Sequence, residues 1–295
     1  MIKRTLITAL VLVLGYHFIL PRLSRDYYWI PGQQRANYVR AQQFVHDSPK
    51  DANVVVGSSM SNELSQEILG PGFVKLTFPA GGALTGLDII RETGKQPPVL
   101  FIESNTLLRD SDKQLADDVT SPWRRKLREA SPVFKEEGRP SNFQVGFFNA
   151  WVGRVYNGVK KVLNGGKKAE PAVEKPMDAS VFEDVMRANR EFLGRPPKEG
   201  DLAARTKRLG DIVDELTKAG TKCVFFEMPV DPTLRELAEP VAVRTAMASR
   251  FPEDRYTWLR IDLGADYKTT DGVHLTRADA DKATQIIAEK AKSAK

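Results

Sequence analysis

A single cysteine, Cys223, is the first constraint in this chain of 295 residues. One thiol cannot build a disulfide framework or a cysteine-rich metal site. It stands in the apolar run Cys223-Val224-Phe225-Phe226, the setting of a buried small hydrophobe rather than a reactive thiol. Histidine is nearly as scarce. Of three, His17 lies in an apolar N-terminal run and His46 in a polar helical stretch, which leaves only His274 for the globular region. No histidine-carboxylate cluster surrounds it, so neither a zinc site nor any other cofactor is expected. The phosphate loop of a nucleotide-binding α/β protein is missing. So is any nucleic-acid motif. The net charge of +6 comes from basic residues spread along the chain, with small clusters at Arg124-Arg125-Lys126, Lys160-Lys161 and Lys167-Lys168, and reads as a solvated basic face. Hydrophobic residues at 41% and charged residues at 28% are the balance of a globular chain able to bury a sizeable core.

What is present begins at the N-terminus. Behind Lys3 and Arg4, the stretch from Thr5 to Leu20 carries no charge and ends at Pro21-Arg22. As a helix its roughly 16 residues rise about 24 Å, a little less than the roughly 30 Å hydrocarbon core of a bilayer. Flanking side chains can bridge that gap by snorkelling. An uncleaved membrane anchor is the preferred reading over residues 1–22. A cleaved signal peptide, releasing a secreted protein, is the competitor, although no small-x-small cleavage site follows. Residues 23–50 read as an approach helix and linker, with a polar helix from Gln33 to His46 stopped by Pro49.

Beyond it, β-branched and apolar runs alternate with helical patterns. Asn53 to Val56 leads into Gly57-Ser58-Ser59 and a helical stretch containing Leu64 and Ile68. Phe73 to Thr77 leads through Ala80-Gly81-Gly82 into a helix from Ala83 to Thr93. Pro98 to Glu103 ends at Ser104-Asn105, and later strands fit Lys222 to Glu227 and Tyr256 to Ile261, with helices over Asp201 to Lys218 and Thr276 to Lys290. Near-continuous apolar strands separated by helices predict a three-layer α/β domain over 51–295, with a parallel sheet covered on both faces and ligands at the carboxyl ends of its strands. The alternation is interrupted at about 106–197, read as a helical insertion. It contains an aromatic amphipathic stretch from Phe147 to Leu163 and the linker-like segment 164–171. Its Trp123, Phe147, Phe148, Trp151 and Tyr156 are expected to pack on the main sheet, with a cap over a glycan site or a surface helix near lipid as the alternatives.

Acyl transfer through a hydroxyl needs an exposed nucleophile, a base in reach, a group orienting that base and donors for the oxyanion. His274 lies in Thr270-Asp271-Gly272-Val273-His274-Leu275-Thr276, just ahead of the last helix, which Thr276 can cap. Asp271 can accept the N–H of one imidazole nitrogen and leave the other free to take a serine proton. Each piece alone is common in turns and helix caps. Their joint placement at strand ends is what points to a site. Glu227 and Asp231, after the fourth strand, reach the same edge as possible wall residues or, for Asp231, as a helix cap.

Taken in order, Gly57-Ser58-Ser59-Met60, Ala80-Gly81-Gly82, Asn105 and Asp271-Gly272-Val273-His274 resemble the motif blocks of the SGNH (GDSL-like) hydrolases. The likeness is to divergent, membrane-associated members such as the families of alginate O-acetylation and teichoic-acid alanylation. It spans roughly residues 52 to 290 apart from the insertion. It implies the flavodoxin-like SGNH fold and a Ser-His-Asp triad with Ser59 as nucleophile, His274 as general base and Asp271 as its orienting acid. It also implies an oxyanion hole of the Ser59 N–H, the Gly82 N–H and the Asn105 amide, with a missing Cβ at Gly82 letting that donor approach substrate. The chain departs from the family where Ser58 replaces an aspartate and where Glu103-Ser104-Asn105-Thr106 replaces Gly-x-Asn-Asp. The implied activity is an esterase or O-acyltransferase, most simply for acetyl, acting on a cell-envelope or extracellular polysaccharide on the periplasmic or extracellular side. A membrane acyl-donor protein is the implied partner. The alternative is a non-catalytic glycan-binding or scaffolding component of an envelope polysaccharide synthesis complex.

Overall fold

A computed structural model describes residues 2–19, 32–139, 142, 145, 147–152 and 177–294. Tyr156 and the linker-like segment 164–171 lie outside the described residues. The chain divides into two compact units, one of residues 1–46 with 118–174, the other of residues 47–117 with 175–295.

The second unit holds a five-stranded sheet: β1 (Asn53–Gly57), β2 (Phe73–Thr77), β3 (Val99–Glu103), β4 (Lys222–Phe226) and β5 (Thr257–Leu259). All pairings are parallel and the order is β2-β1-β3-β4-β5. Gly57 pairs with Thr77, Val56 with Ile102, Glu103 with Phe226 and Phe226 with Leu259, so every strand finishes on one edge. The chain runs outward from β1 to β2 and then returns to β1's other side as β3. That reversal opens a crevice above the carboxyl end of β1, where open parallel sheets place their ligands.

Strands β1 and β3 are buried throughout, which explains their unbroken apolar sequence. Val55, Phe101, Val224 and Phe226 meet Met60, Leu64 and the small face of the last helix, through Ala280, Ala283 and Ile287. On the opposite face Val56 touches α5 (Ala83–Thr93) so closely that a Cβ on Gly86 would fall 2.7 Å from its methyl. Each of the buried Val, Leu, Ile, Phe and Met side chains contributes roughly 1.5–3 kcal/mol over leaving it exposed. The helix expected after Ser59 is two short ones, α3 (Ser59–Asn62) and α4 (Gln66–Leu69). Ser65 breaks the run by capping α4 with its side chain, and Lys75 Nζ takes the freed carbonyls of Asn62 and Leu64. Thr276 precedes the last helix, but its hydroxyl donates to Asp279 Oδ2 rather than accepting from a helix N–H. Cys223 is partly buried, and burial pushes its thiol up to about 11, the behaviour of an inert thiol.

In the first unit α1 (Ile2–Ile19) has no buried residue and is long and apolar enough to be a membrane anchor or a signal sequence. Helix α2 (Gln33–Asp47) buries Val39, Phe44 and Val45. Between α6 (Lys113–Thr120) and the turn Pro132–Phe134 lies α7 (Pro122–Ala130). The expectation that the insertion's aromatics pack on the sheet is corrected. Trp123, Phe147, Phe148 and Trp151 belong to this first unit and are all exposed.

Candidate active site

The carboxyl end of β1 delivers Gly57-Ser58-Ser59 into the crevice, and a carboxyl group underneath holds the turn. Glu103 closes β3 and is buried at 2% exposure. Its Oε1 accepts from the Ser58 hydroxyl at 2.7 Å and the Thr106 hydroxyl at 3.2 Å. Its Oε2 accepts from the backbone N–H groups of Ser58 (2.9 Å) and Ser61 (3.2 Å) and from the Ser61 hydroxyl. A Cβ on Gly57 would stand 2.5 Å from that Oε2, so glycine is required here to admit the carboxyl. Ser58 in turn caps α3 by accepting from Met60 N. The Ser58 and Ser61 hydroxyls of this segment are thereby bound to Glu103, the hub beneath the turn, and Ser59, first residue of α3, is left facing elsewhere.

It faces His274. The Ser59 Oγ lies 2.8 Å from His274 Nε2, across 215 residues of sequence, and Asp271 Oδ2 lies 2.7 Å from Nδ1. With Nδ1–H donating to the carboxylate, Nε2 is the free acceptor for the serine hydroxyl. The loop is shaped for this. Asp271 Oδ1 accepts from the Val273 and His274 N–H groups at 2.9 and 2.7 Å, which fixes the carboxylate beneath the ring. Thr270 N–H donates to His274 O, and Thr269 pairs with Leu275.

Two residues of α8 (Ala179–Leu193) support that loop. Asn189 Nδ2 donates to the Asp271 carbonyl at 3.0 Å, and buried Met186 fills the space where Gly272 has no side chain. Gly272 has φ +87°, and a Cβ there would overlap the Met186 sulfur and sit 2.9 Å from Leu234. Gly272→Ala is therefore expected to lower stability by about 2–4 kcal/mol in urea unfolding, adding left-handed strain to overpacking.

Electrostatics follow the geometry. Burial alone would raise the Asp271 carboxyl, but the His274 ring and the two backbone N–H groups outweigh it and hold it below its usual range. The hydrogen bond to Asp271 raises His274 above the ordinary 6.5, against partial burial and against the charge of Arg109, with Asp271 and Glu63 charges adding to the rise.

The three expected oxyanion donors differ in standing. Gly81 N–H is spent on Phe78 O at 2.8 Å, whereas the Ser59 and Gly82 N–H groups have no partner among the described residues. The reason for glycine at 82 is corrected: a Cβ would sit 2.9 Å from Thr106 O, so the missing side chain admits the loop after β3, not the substrate. Asn105 exchanges two bonds with Met228, Oδ1 accepting from its N–H and Nδ2 donating to its carbonyl. This locks the amide plane and leaves one Nδ2 hydrogen to offer.

Asp231 is a helix cap, accepting from Thr233 N before α9 (Pro232–Arg235). Glu227 pairs with Arg244 at 3.2 Å and lines a separate cavity of about 550 Å³, with Trp258 and Tyr267, over β4 and β5. Sequence reasoning missed Glu103, Met186, Asn189 and Arg109. Arg109 is, among the described residues of this unit, the half-buried arginine without a carboxylate within 4 Å, and its Nη1 reaches only Gly81 O at 3.5 Å. No group of three or more His, Cys, Asp or Glu among the described residues is placed to hold a metal ion. The chain matches no protein-family model and no curated protein sequence.

Proposed function

We propose that the chain is a serine acyl-ester hydrolase or O-acyltransferase of the SGNH type. The observation that carries this reading is the unbroken line from Ser59 Oγ to His274 Nε2 (2.8 Å) and from Nδ1 to Asp271 (2.7 Å), at the crevice of a parallel sheet. Ser59 Oγ attacks the acyl carbonyl carbon while its proton passes to His274 Nε2. The carbonyl oxygen becomes an oxyanion met by the unspent N–H groups of Ser59 and Gly82 and the remaining Asn105 hydrogen. Collapse expels the alcohol, which takes the proton back from His274 and leaves an acyl ester on Ser59. A second hydroxyl, deprotonated by His274, then attacks that ester and frees the serine. Water as the second nucleophile gives hydrolysis, and a sugar hydroxyl gives transfer.

A polysaccharide of the envelope is the proposed acceptor or substrate, acetyl the proposed acyl group, and the exported side of a membrane the proposed location. Support for a retained anchor over a cleaved signal comes from the end of α1. Tyr16 donates to Gly138 O, and His17 Nδ1 lies 2.6 Å from Ser131 Oγ, contacts that a removed peptide does not make. Tethering raises the local concentration of a membrane-bound acyl donor, whose protein source is part of the proposal.

Because the base must be neutral, kcat/KM should rise with pH through the raised His274 value, above 6.5. Asp271→Asn removes the main cause of that rise, so its acidic limb should move to lower pH while the plateau falls. An unmoved limb would contradict the assignment. The activity itself is tested with a chromogenic acetyl ester and a serine-directed inhibitor, with and without oligosaccharides. Turnover blocked by the inhibitor supports the proposal. Oligosaccharide binding with neither turnover nor labelling would identify a glycan-binding module instead.

A further inference from the structure

Exposed large hydrophobic side chains are not spread evenly over this protein. Apart from Met177, Val181, Phe192 and Val241, all of them among the described residues lie in the first unit. Many belong to α1, but Trp123 (60% exposed), Leu127, Phe134 (54%), Phe148 (60%) and Trp151 (56%) do not. Water-exposed aromatics in such number mark an interaction surface.

The depth of part of this surface follows from α1. Eighteen residues of helix rise about 27 Å, close to the roughly 30 Å of a bilayer core. Tyr16 and His17 are in its last turn, at one boundary of the hydrocarbon when α1 spans. Through the Tyr16 bond to Gly138 O and the His17 bond to Ser131, the segment 131–138 is held at that same boundary, and Phe134 projects from it. Helix α7 runs directly into this segment. Its Trp123 and Leu127 stand four residues apart and share one face. Arg124 lies over the Trp123 ring at 5.2 Å and is paired with Asp118, while Arg125 and Lys126 have no carboxylate within 4 Å among the described residues. Aromatics beside unspent cations, at the level of a helix end, are the composition of an interfacial segment.

We propose that α7 and the Ser131–Gly138 segment form a lipid-binding patch that seats the first unit on an anionic membrane surface around the end of α1. The proposal rests on α1 being a retained membrane helix. Arg125 and Lys126 attract the headgroups, and Trp123, Leu127 and Phe134 enter the boundary between headgroups and acyl chains.

The test uses the full chain in vesicles of phosphatidylcholine, alone or mixed with phosphatidylglycerol, carrying lipids brominated either near the headgroup or near the chain end. With Trp29, Trp151 and Trp258 changed to Phe, Trp123 should be quenched severalfold more by shallow than by deep bromines. Arg125→Glu with Lys126→Glu should abolish the gain in quenching that phosphatidylglycerol brings. Phe134→Trp with Trp123→Phe should report the same shallow depth if the first variant misfolds. Leu10→Trp, with the native tryptophans changed to Phe, reads α1 separately and should respond to deep bromines. Deep quenching at Leu10→Trp with positions 123 and 134 unaffected would overturn the lipid patch, keep the anchor, and leave a membrane protein as the occupant. Quenching at none of the three positions would overturn both.

Discussion

Ser59→Ala should lower acyl-ester turnover by about 10⁴ to 10⁶-fold, and His274→Ala should do nearly the same, with the double variant no worse than either. In the proposed mechanism the two residues act as one device. A hydroxyl without a base is a weak nucleophile at neutral pH, and a base without the hydroxyl has only water to activate. Residual rate should survive in both, because the Ser59 and Gly82 N–H groups still meet the oxyanion. Loss of fold does not account for the drop in Ser59→Ala. The hydroxyl's bond to His274 is made at a partly exposed site, so its removal costs only about 1 kcal/mol. Steady-state assays beside a urea melt separate the two effects. A Ser59→Ala variant retaining more than a tenth of wild-type rate would remove serine from the chemistry.

The second large effect is expected at Glu103, which touches no substrate. It receives two backbone N–H groups and three hydroxyls in a buried pocket below the nucleophile turn. In Glu103→Ala the hydroxyls can rotate to other acceptors, but the Ser58 and Ser61 N–H groups cannot. At roughly 1–3 kcal/mol for each buried donor left unpaired, the loss of stability should reach about 3–5 kcal/mol. The turn bearing Ser59 would relax with it, and a displacement of an ångström is enough to cost about 10²-fold in kcat. Glu103→Gln distinguishes positioning from charge. Its carbonyl can keep the three donors at Oε2, while its amide faces the Ser58 and Thr106 hydroxyls, which can accept. It should recover most of the stability and most of kcat, with KM little changed. An alanine variant as stable and active as wild type would show that the hub is dispensable.

These assignments differ in how far the amino-acid order alone revealed them. Strand β2 and helix α5 coincide with the sequence reading, because Phe73–Thr77 is bounded by turn-forming residues on both sides and Ala83–Thr93 ends at Gly94 in the left-handed conformation. The meeting of Ser59, Asp271 and His274 was readable for a different reason: a parallel sheet collects the ends of its strands on one edge, and a chain with so few histidines leaves little choice of base. Glu103 was missed although it is the only charged residue in β3, since a carboxyl at a strand end looks like ordinary solvent exposure until the register puts it beside Gly57. Met186 and Asn189 were hidden because α8 is distant in sequence and has no motif of its own. For the aromatics of α7 and 147–152, hydrophobicity favours packing on the sheet over a glycan cap or a lipid-facing helix, but it does not distinguish a buried ring from one left for a partner.

Ser59 as nucleophile is tested by mass spectrometry of the intact chain and its Ser59 peptide after brief exposure to an activated acetyl ester. A single acetyl group on Ser59 is expected, formed faster above the His274 titration than below it, released by water or by an added sugar, and missing in His274→Ala. Acetylation confined to lysines, or equal labelling of Ser59 with and without His274, would contradict it.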